Sequence, residues 1–142
     1  MSGTLTEQTM TGGCQCGAVR YEASGPPLEI YVCHCTECRK QSASAFGISV
    51  IVHSTGVRLV HGTPVRWSRL ADSGRTVDCF FCPECGSRLW HGDKERAETI
   101  SIKGGSLDEP PEITSAVHIW TNSKLAGVTI PDQATRFCKE PE

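Results

Sequence analysis

Residues 80–86 of the chain have the sequence Phe-Phe-Cys-Pro-Glu-Cys-Gly, and this stretch decides how the fold is held together. The two phenylalanines predict the end of a strand, and the Cys-x-x-Cys that follows has the form of a zinc knuckle. In a knuckle the turn directs backbone N–H groups at the two sulfurs, and Gly86 lets the chain leave the turn. The stretch therefore predicts a β-hairpin that supplies two ligands to a metal.

A second short pair of cysteines, Cys14-Gln-Cys16, lies near the start of the chain. Structural zinc takes four ligands in a tetrahedron, and short pairs supply them with little backbone distortion. Cysteines this close in sequence rarely reach a strain-free disulfide geometry, whereas one metal ion can bind both thiolates. The sequence therefore predicts one closed, structural zinc site with four ligands: Cys14, Cys16, Cys82 and Cys85.

A third cluster, Cys33-His34-Cys35-x-x-Cys38, supplies three thiols and no obvious fourth ligand. Zinc with three protein ligands keeps a position open for water, a substrate thiol or a carbonyl oxygen. We interpret this cluster as a catalytic zinc site, which gives two Zn²⁺ per chain. The residues leave an alternative open, in which His34, Cys79 or another side chain closes the site and the metal is structural.

The composition favours metal binding in a reducing compartment. The chain has 142 residues, nine of them cysteine, and 16 acidic against 14 basic residues give a net charge of −2. This balance argues against constitutive nucleic-acid binding, and no apolar run reaches the roughly 18 residues of a membrane span. Residues 1–10 lack the basic and apolar regions of a secretory signal, so we expect a cytoplasmic protein with reduced thiols. A secreted disulfide scaffold is the disfavoured alternative.

The pattern between the clusters predicts a mainly β protein with one domain. Residues 12–131 form the predicted domain, between a flexible N-terminal tail at 1–11 and a C-terminal tail at 132–142. Residues 35–44 contain no glycine or proline and are the only candidate for a helix. Short β-rich runs bounded by turn residues give the predicted strands, which are 17–23, 45–52, 57–60, 65–68, 76–81, 99–103, 117–121 and 127–130.

The five histidines are predicted to be structural or exposed. His34 lies between two ligands, where the backbone directs it away from the metal. His53 and His61 lie near strand ends and are expected at the surface. His91 and His118 neighbour large aromatic residues, and each is expected to be a hydrogen-bonded structural histidine rather than a pocket residue.

Basic residues follow both kinds of cluster. Arg39 and Lys40 come directly after the three-cysteine cluster, and Arg88 follows the knuckle. Each can stabilise thiolates or an anionic substrate, or can simply be solvated. Cys79 is expected to pack as a small apolar side chain, and Cys138 has no predicted task.

Taken in order, the motifs resemble those of the glutathione-dependent formaldehyde-activating enzyme family, which also includes centromere protein V. The resemblance covers roughly residues 12–131 and rests on five segments, at residues 12–21, 33–39, 81–86, 104–108 and 118–120. It implies a β-tent fold, a stack of small β-sheets stapled by zinc. It also implies that the four-cysteine set holds a structural zinc and that Cys33, Cys35 and Cys38 hold a catalytic one.

The same resemblance implies an activity. In the family's namesake reaction, glutathione adds through sulfur to formaldehyde and gives S-(hydroxymethyl)glutathione, which a carbon-sulfur lyase cleaves in the reverse direction. We therefore predict a zinc-dependent lyase with a small-molecule substrate such as a glutathione adduct, and with neither nucleic acid nor membrane as a partner. The alternatives are a non-catalytic zinc-stapled binding or chaperone-like module, and chromatin binding, which the acidic balance disfavours.

Overall fold

The computed structural model describes residues 9–141, and this part of the chain contains ten strands and one α-helix. Helix α1 spans Thr36–Ser42, with Cys35 as its N-cap and Ala43 as its C-cap. The strands are β1 Thr9–Gly13, β2 Arg20–Ser24, β3 Glu29–Cys33, β4 Gly47–His53, β5 Val57–His61, β6 Val65–Leu70, β7 Thr76–Phe81, β8 Arg88–His91, β9 Thr99–Lys103 and β10 Val117–Ile119.

The strands form two sheets. One has three strands in the order β1-β2-β5, and the other has seven in the order β10-β3-β4-β9-β8-β7-β6. All pairings are antiparallel except that of β10 with β3. The fold is therefore mainly β with two stacked sheets, as predicted.

The hydrophobic core lies between the two sheets. Tyr21 and Ala23 of β2 pack with Val50 of β4, Trp90 of β8 and Ile102 of β9, all of them buried. The Tyr21 and Trp90 rings meet edge to face, with centroids 5.7 Å apart. Such pairs add to the stabilisation from burial alone. The alternation in β4 follows from this packing, because every second residue faces the core.

The opposite face of the seven-stranded sheet carries polar and sulfur-bearing side chains. The register pairs Cys33 with Gly47, Ser49 with Lys103, and His91 with Cys79. Since strand residues alternate between faces, these residues lie on the face away from the core. We call this the polar face, and we define it by Cys33, Ser49, Lys103, His91 and Cys79.

Several predicted elements differ from the observed ones. The predicted strand at 127–130 is wrong, because this segment forms a turn in which the Val128 N–H donates to the Leu125 carbonyl. Three strands, β1, β3 and β8, were not predicted. The helix is shorter than the predicted 35–44, because Ala43 adopts a left-handed conformation with φ of 52° and ends it.

Parts of both expected tails are paired in the structure. Residues 9–11 belong to β1 and bond to β2, whereas residues 1–8 lie outside the described residues. The His118 N–H donates to the Thr135 carbonyl, and the Phe137 N–H donates to the His118 carbonyl. The backbone of residues 135–137 therefore hydrogen-bonds to β10, the strand at the edge of the seven-stranded sheet. The domain boundaries 12–131 stay a prediction. Within the described part, no helix has the length and apolarity that a membrane span requires.

Candidate metal centres and the adjoining cavity

The four cysteines predicted as one ligand set lie together. Their sulfurs are within 4.8 Å of one another. Cys14 and Cys16 follow β1, and Cys82 and Cys85 follow β7, so the group joins one sheet to the other. Backbone N–H groups point at two of the sulfurs, from Val19 to Cys14 at 3.2 Å and from Glu84 to Cys82 at 3.3 Å. Thiolate ligands of zinc accept such bonds, so the four residues suit a metal ion.

A serine hydroxyl links the two cysteine pairs. Ser87 Oγ lies 3.2 Å from Cys85 Sγ and accepts a hydrogen bond from the Gln15 N–H at 3.0 Å. The Ser87 hydroxyl is the main cause that lowers the pKa of the Cys85 thiol to about 5. Cys85 is therefore deprotonated at neutral pH, which is the form that binds a metal.

The three cysteines of the second cluster also lie within 4.8 Å of one another. Cys33 ends β3, Cys35 caps helix α1, and Cys38 lies in its first turn. Cys35 Sγ accepts a hydrogen bond from the Cys38 N–H at 3.2 Å. Among residues 9–141, no fourth Cys, His, Asp or Glu joins this group at the same distance. The group therefore offers three ligands.

Hydrogen bonds within the three-cysteine group separate the pKa values of its thiols. Bonds from Cys33 and Cys38, helped by the Cys38 N–H, lower the pKa of Cys35 strongly. Side-chain contacts of Cys33 with Cys35 and Cys38 raise the pKa of Cys33. Cys35 is thus the sulfur that gives up its proton first, and a bound cation favours loss of the others.

Neighbouring groups fix the cysteine turn from outside. The His34 N–H donates to the Ile119 carbonyl at 3.0 Å, and its ring Nε2 lies 2.9 Å from His118 Nδ1. Arg39 donates to the carbonyls of His34 at 3.3 Å and Ser123 at 2.5 Å. These contacts confirm that His34 points away from the metal group. They also give Arg39 a positioning role.

The remaining histidine predictions have mixed outcomes. His53 and His61 are exposed and His118 is hydrogen-bonded, as predicted. His91 differs, because its buried Nε2 has no hydrogen-bond partner among the described residues. Burial, then the charges of Lys103, Arg69 and Arg88, lower the pKa of His91 to about 3.

The two cysteines outside the clusters also lie outside both metal groups among the described residues. Cys79 is fully buried, and burial is the main cause that raises the pKa of its thiol. Cys138 is exposed, and neither of the two joins the four-cysteine or the three-cysteine group. Cys79 therefore packs as a small apolar side chain, as predicted.

A buried lysine faces the three-cysteine group, and the sequence analysis did not single it out. Lys103 is 9% exposed, and its Nζ donates to Ser49 Oγ at 3.0 Å. Burial lowers the pKa of Lys103, whereas the negative charges of Cys38 and Cys33 act in the opposite direction. Three thiolates, one Zn²⁺ and one ammonium sum to zero charge, so Lys103 balances a loaded site. The alternation of apolar and polar residues in β9 predicts the face of the sheet on which Lys103 lies. Its pairing with Ser49 could not be predicted, because β4 and β9 are distant in sequence.

Cavities open on two sides of the three-cysteine group. One, of about 480 Å³, is bordered by Gly47, Arg88 and Lys103. None of the three cysteines lines this cavity, but a methyl group on Gly47 would lie 3.3 Å from Cys38 Cβ and 3.7 Å from its Sγ, so the cavity is separated from Cys38 only by this glycine. A second cavity, of about 420 Å³, includes Cys35. A third, of about 540 Å³, includes His91 but none of the cysteines.

This arrangement defines a small, mainly β domain with two cysteine groups suited to metal binding, one of four thiols and one of three thiols that borders a cavity at Cys35. Residues 9–123 match the sequence profile of the glutathione-dependent formaldehyde-activating enzyme family. The match covers well over half of the chain, and the chain belongs to this family.

Two further similarities agree with this assignment. A curated protein of Halomonas elongata that bears the family's name is 26% identical over 137 residues, which is 91% of this chain and 85% of that protein. A crystal structure of a Rhodobacter sphaeroides protein has a TM-score of 0.54 and covers 72% of this chain and 91% of that chain. Its sequence identity is 23%, so this second likeness concerns the fold alone.

Proposed function

We propose that the chain is a zinc-dependent carbon-sulfur lyase that acts on a thiol-aldehyde adduct such as S-(hydroxymethyl)glutathione. The observation that carries this proposal is the group of three thiols with no fourth ligand among the described residues, next to a cavity large enough for a small substrate. We place the reaction in the cytoplasm, where thiols stay reduced.

In this proposal Cys33, Cys35 and Cys38 hold the catalytic zinc, and Cys14, Cys16, Cys82 and Cys85 hold the structural one. The thiol groups and their N–H donors suit zinc, as the contact at Cys35 illustrates. Zinc in the three-thiol site supplies either Lewis acidity toward a carbonyl or hydroxyl oxygen, or a lowered pKa for a bound thiol.

The chain's own residues orient and balance this site. In its ammonium form Lys103 supplies a positive charge beside the thiolates, and its Nζ donates a hydrogen bond to Ser49 Oγ at 3.0 Å. Arg39 holds the turn between β3 and helix α1 in place. In the addition direction one carbon-sulfur bond forms, and the thiol proton ends on the aldehyde oxygen. Cleavage reverses both changes, so no oxidant or reductant is needed.

The proposal is tested by NMR exchange spectroscopy of formaldehyde and glutathione with and without the zinc-loaded chain. We expect the protein to accelerate the exchange and Cys38→Ser to abolish the acceleration, because the variant loses one of two zincs. Cys138→Ser is the matched control, since Cys138 is exposed and outside both groups. It should keep both zincs and full activity.

Two outcomes would count against the proposal. An exchange rate that the loaded protein leaves unchanged, for glutathione and for other thiols, would favour the non-catalytic binding or chaperone-like module. A Cys38→Ser variant that retained two zincs and full activity would show that the catalytic site had been assigned to the wrong cysteines.

A further inference from the structure

The cavity of about 480 Å³ beside Cys38 has an unusual charge balance. Two of its lining residues, Arg88 and Lys103, are cationic, and none is Asp or Glu. Most of the others are glycines, serines and a glutamine, which add hydrogen-bonding groups but no charge. Lys103 is matched by the thiols that it faces, so the charge that the cavity walls leave without a carboxylate is that of Arg88.

The two other cavities on the polar face differ in this respect. The one that includes His91 is lined by three carboxylates and two arginines, which are Asp78, Asp93, Glu140, Arg75 and Arg96. The one that includes Cys35 is also lined by three carboxylates and two arginines, which are Glu37, Asp72, Glu140, Arg69 and Arg75. Carboxylates in these two cavities oppose the binding of an anion, so the charge balance favours an anionic ligand in the Arg88 cavity.

Arg88 has hydrogen-bonding capacity that the described part of the chain leaves unused. Its guanidinium carbon lies 5.4 Å from the centre of the Phe81 ring and 5.9 Å from that of Trp67, so the group makes cation–π contacts with two aromatic rings. Its Nη1 is buried without a partner, and none of the ion pairs among residues 9–141 involves Arg88. A buried charged donor without an acceptor is unfavourable, and a carboxylate matches the guanidinium fork best.

The same cavity adjoins the three-cysteine group, although none of the three cysteines lines it. Lys103, which interacts electrostatically with Cys38 and Cys33, lines the cavity together with Gly47 and Arg88. A ligand in this cavity can therefore lie between Arg88 and the lysine that faces the three-cysteine group. The zinc knuckle fixes the backbone position of Arg88, because Arg88 directly follows Ser87, whose hydroxyl contacts Cys85.

We propose that Arg88 is the specificity-determining residue of this site and that it binds a carboxylate of the thiol substrate, so that the enzyme prefers carboxylate-bearing thiols over neutral ones. This inference rests on the proposed function for the reaction, but its binding step is independent of catalysis.

The reaction test compares formaldehyde adducts of 3-mercaptopropionate and of its neutral amide. We expect the zinc-loaded wild-type chain to prefer the carboxylate. Arg88→Gln should reduce the ratio of kcat/KM for carboxylate over amide about tenfold to a hundredfold, the usual range for a hydrogen bond to a charged group. Arg88→Lys should restore part of the ratio, because it keeps the charge without the fork.

The binding test uses S-methylglutathione, a thioether that cannot form the adduct, in calorimetric titrations of the loaded chain. Arg88→Gln should weaken binding by the same factor, and Arg58→Gln should not, because Arg58 pairs with Glu22 on the other sheet. Circular dichroism and zinc content establish that each variant is folded and loaded. Inorganic sulfate is titrated separately as a free oxyanion.

The possible outcomes separate this inference from the proposed function. Arg88-dependent binding of S-methylglutathione without any adduct chemistry would support the carboxylate-binding role of Arg88 and contradict the lyase. If wild type and Arg88→Gln both had lyase activity with the same ratio of kcat/KM for carboxylate over amide, the carboxylate-binding role of Arg88 would be wrong and the proposed function would stand. Arg88-dependent binding of sulfate but not of S-methylglutathione would also overturn this role, because the cavity would then bind free oxyanions.

Discussion

At the scale of single residues, the environment of Lys103 is the most informative. A charged lysine as buried as this one needs a negative partner, and among residues 9–141 the groups that oppose the burial of its charge are thiols and not carboxylates. These thiols belong to Cys38, Cys33, Cys79 and Cys35. The ammonium form of Lys103 is therefore favoured when some of these sulfurs are thiolates, which is the state that a bound metal enforces.

This reasoning predicts the effect of Lys103→Met on the second metal. Without the ammonium, the loaded site keeps a net negative charge in a buried place, so its zinc affinity should fall about tenfold, as for other groups that support metal ligands. Competition with a chromogenic zinc chelator measures the affinity of each site. Lys40→Met is the control, because Lys40 is exposed on helix α1. Equal zinc affinities in wild type and Lys103→Met would contradict the role of Lys103 as counter-charge.

At the scale of elements, the start of the chain is tied to the loop after β9. The Asp108 carboxylate pairs with Arg20 of β2 and accepts a hydrogen bond from Thr11 of β1 at 2.7 Å. The Asp108 N–H donates to the Thr11 carbonyl at 2.9 Å. These contacts hold the β1–β2 hairpin in register beside the core, and they place Cys14 at the end of β1 within reach of the knuckle.

The Asp108 contacts predict a pH-dependent effect of Asp108→Asn on stability. Hydrogen bonds from Arg20 and Thr11 lower the pKa of Asp108 to about 2, below the ordinary value of 3.8. A lowered folded-state pKa stabilises the fold above pH 3.8, and this contribution disappears as the pH falls toward 2. We expect the variant to unfold at lower urea concentration than wild type at pH 7, and the difference to shrink below about pH 4.

The control for this series is Asp132→Asn, at an exposed site away from the hairpin. It shares any loss of zinc in acid, so subtracting its curve isolates the contribution of Asp108. A difference between wild type and Asp108→Asn that stayed constant from pH 7 to pH 3 would contradict the lowered pKa.

The elements also show what the sequence can predict and what it cannot. The two cysteine groups were predictable because the cysteines within each short pair or cluster are close in sequence. Structural zinc takes four ligands, so two pairs are expected to combine. Strand β8 was missed because four residues carry too little alternation, and β1 because its Thr-Met-Thr-Gly-Gly sequence has no apolar pattern. The roles of Lys103 and Arg88 depend on the register of strands that are distant in sequence, and short patterns do not specify that register.

At the scale of the whole molecule, the two metal groups have different structural tasks. The four-cysteine group connects the end of β1 in one sheet to the end of β7 in the other, beside the core. The three-cysteine group lies between β3 and helix α1, which are already adjacent in sequence. A metal in the first group would add a link between two sheets that also pack through the core, whereas a metal in the second would hold only a local turn.

This difference predicts two separate steps when a chelator such as EDTA is titrated into the zinc-loaded chain. The zinc with three protein ligands should leave first, because its open position and the adjoining cavities admit the chelator. Near-UV circular dichroism, which reports on the packed Tyr21 and Trp90 rings, should stay unchanged in this step. The second zinc should leave only at higher chelator concentration, together with the near-UV signal, because its loss removes folding free energy directly. Loss of both zincs in a single step with the near-UV signal would mean that the three-cysteine group also holds the sheets together.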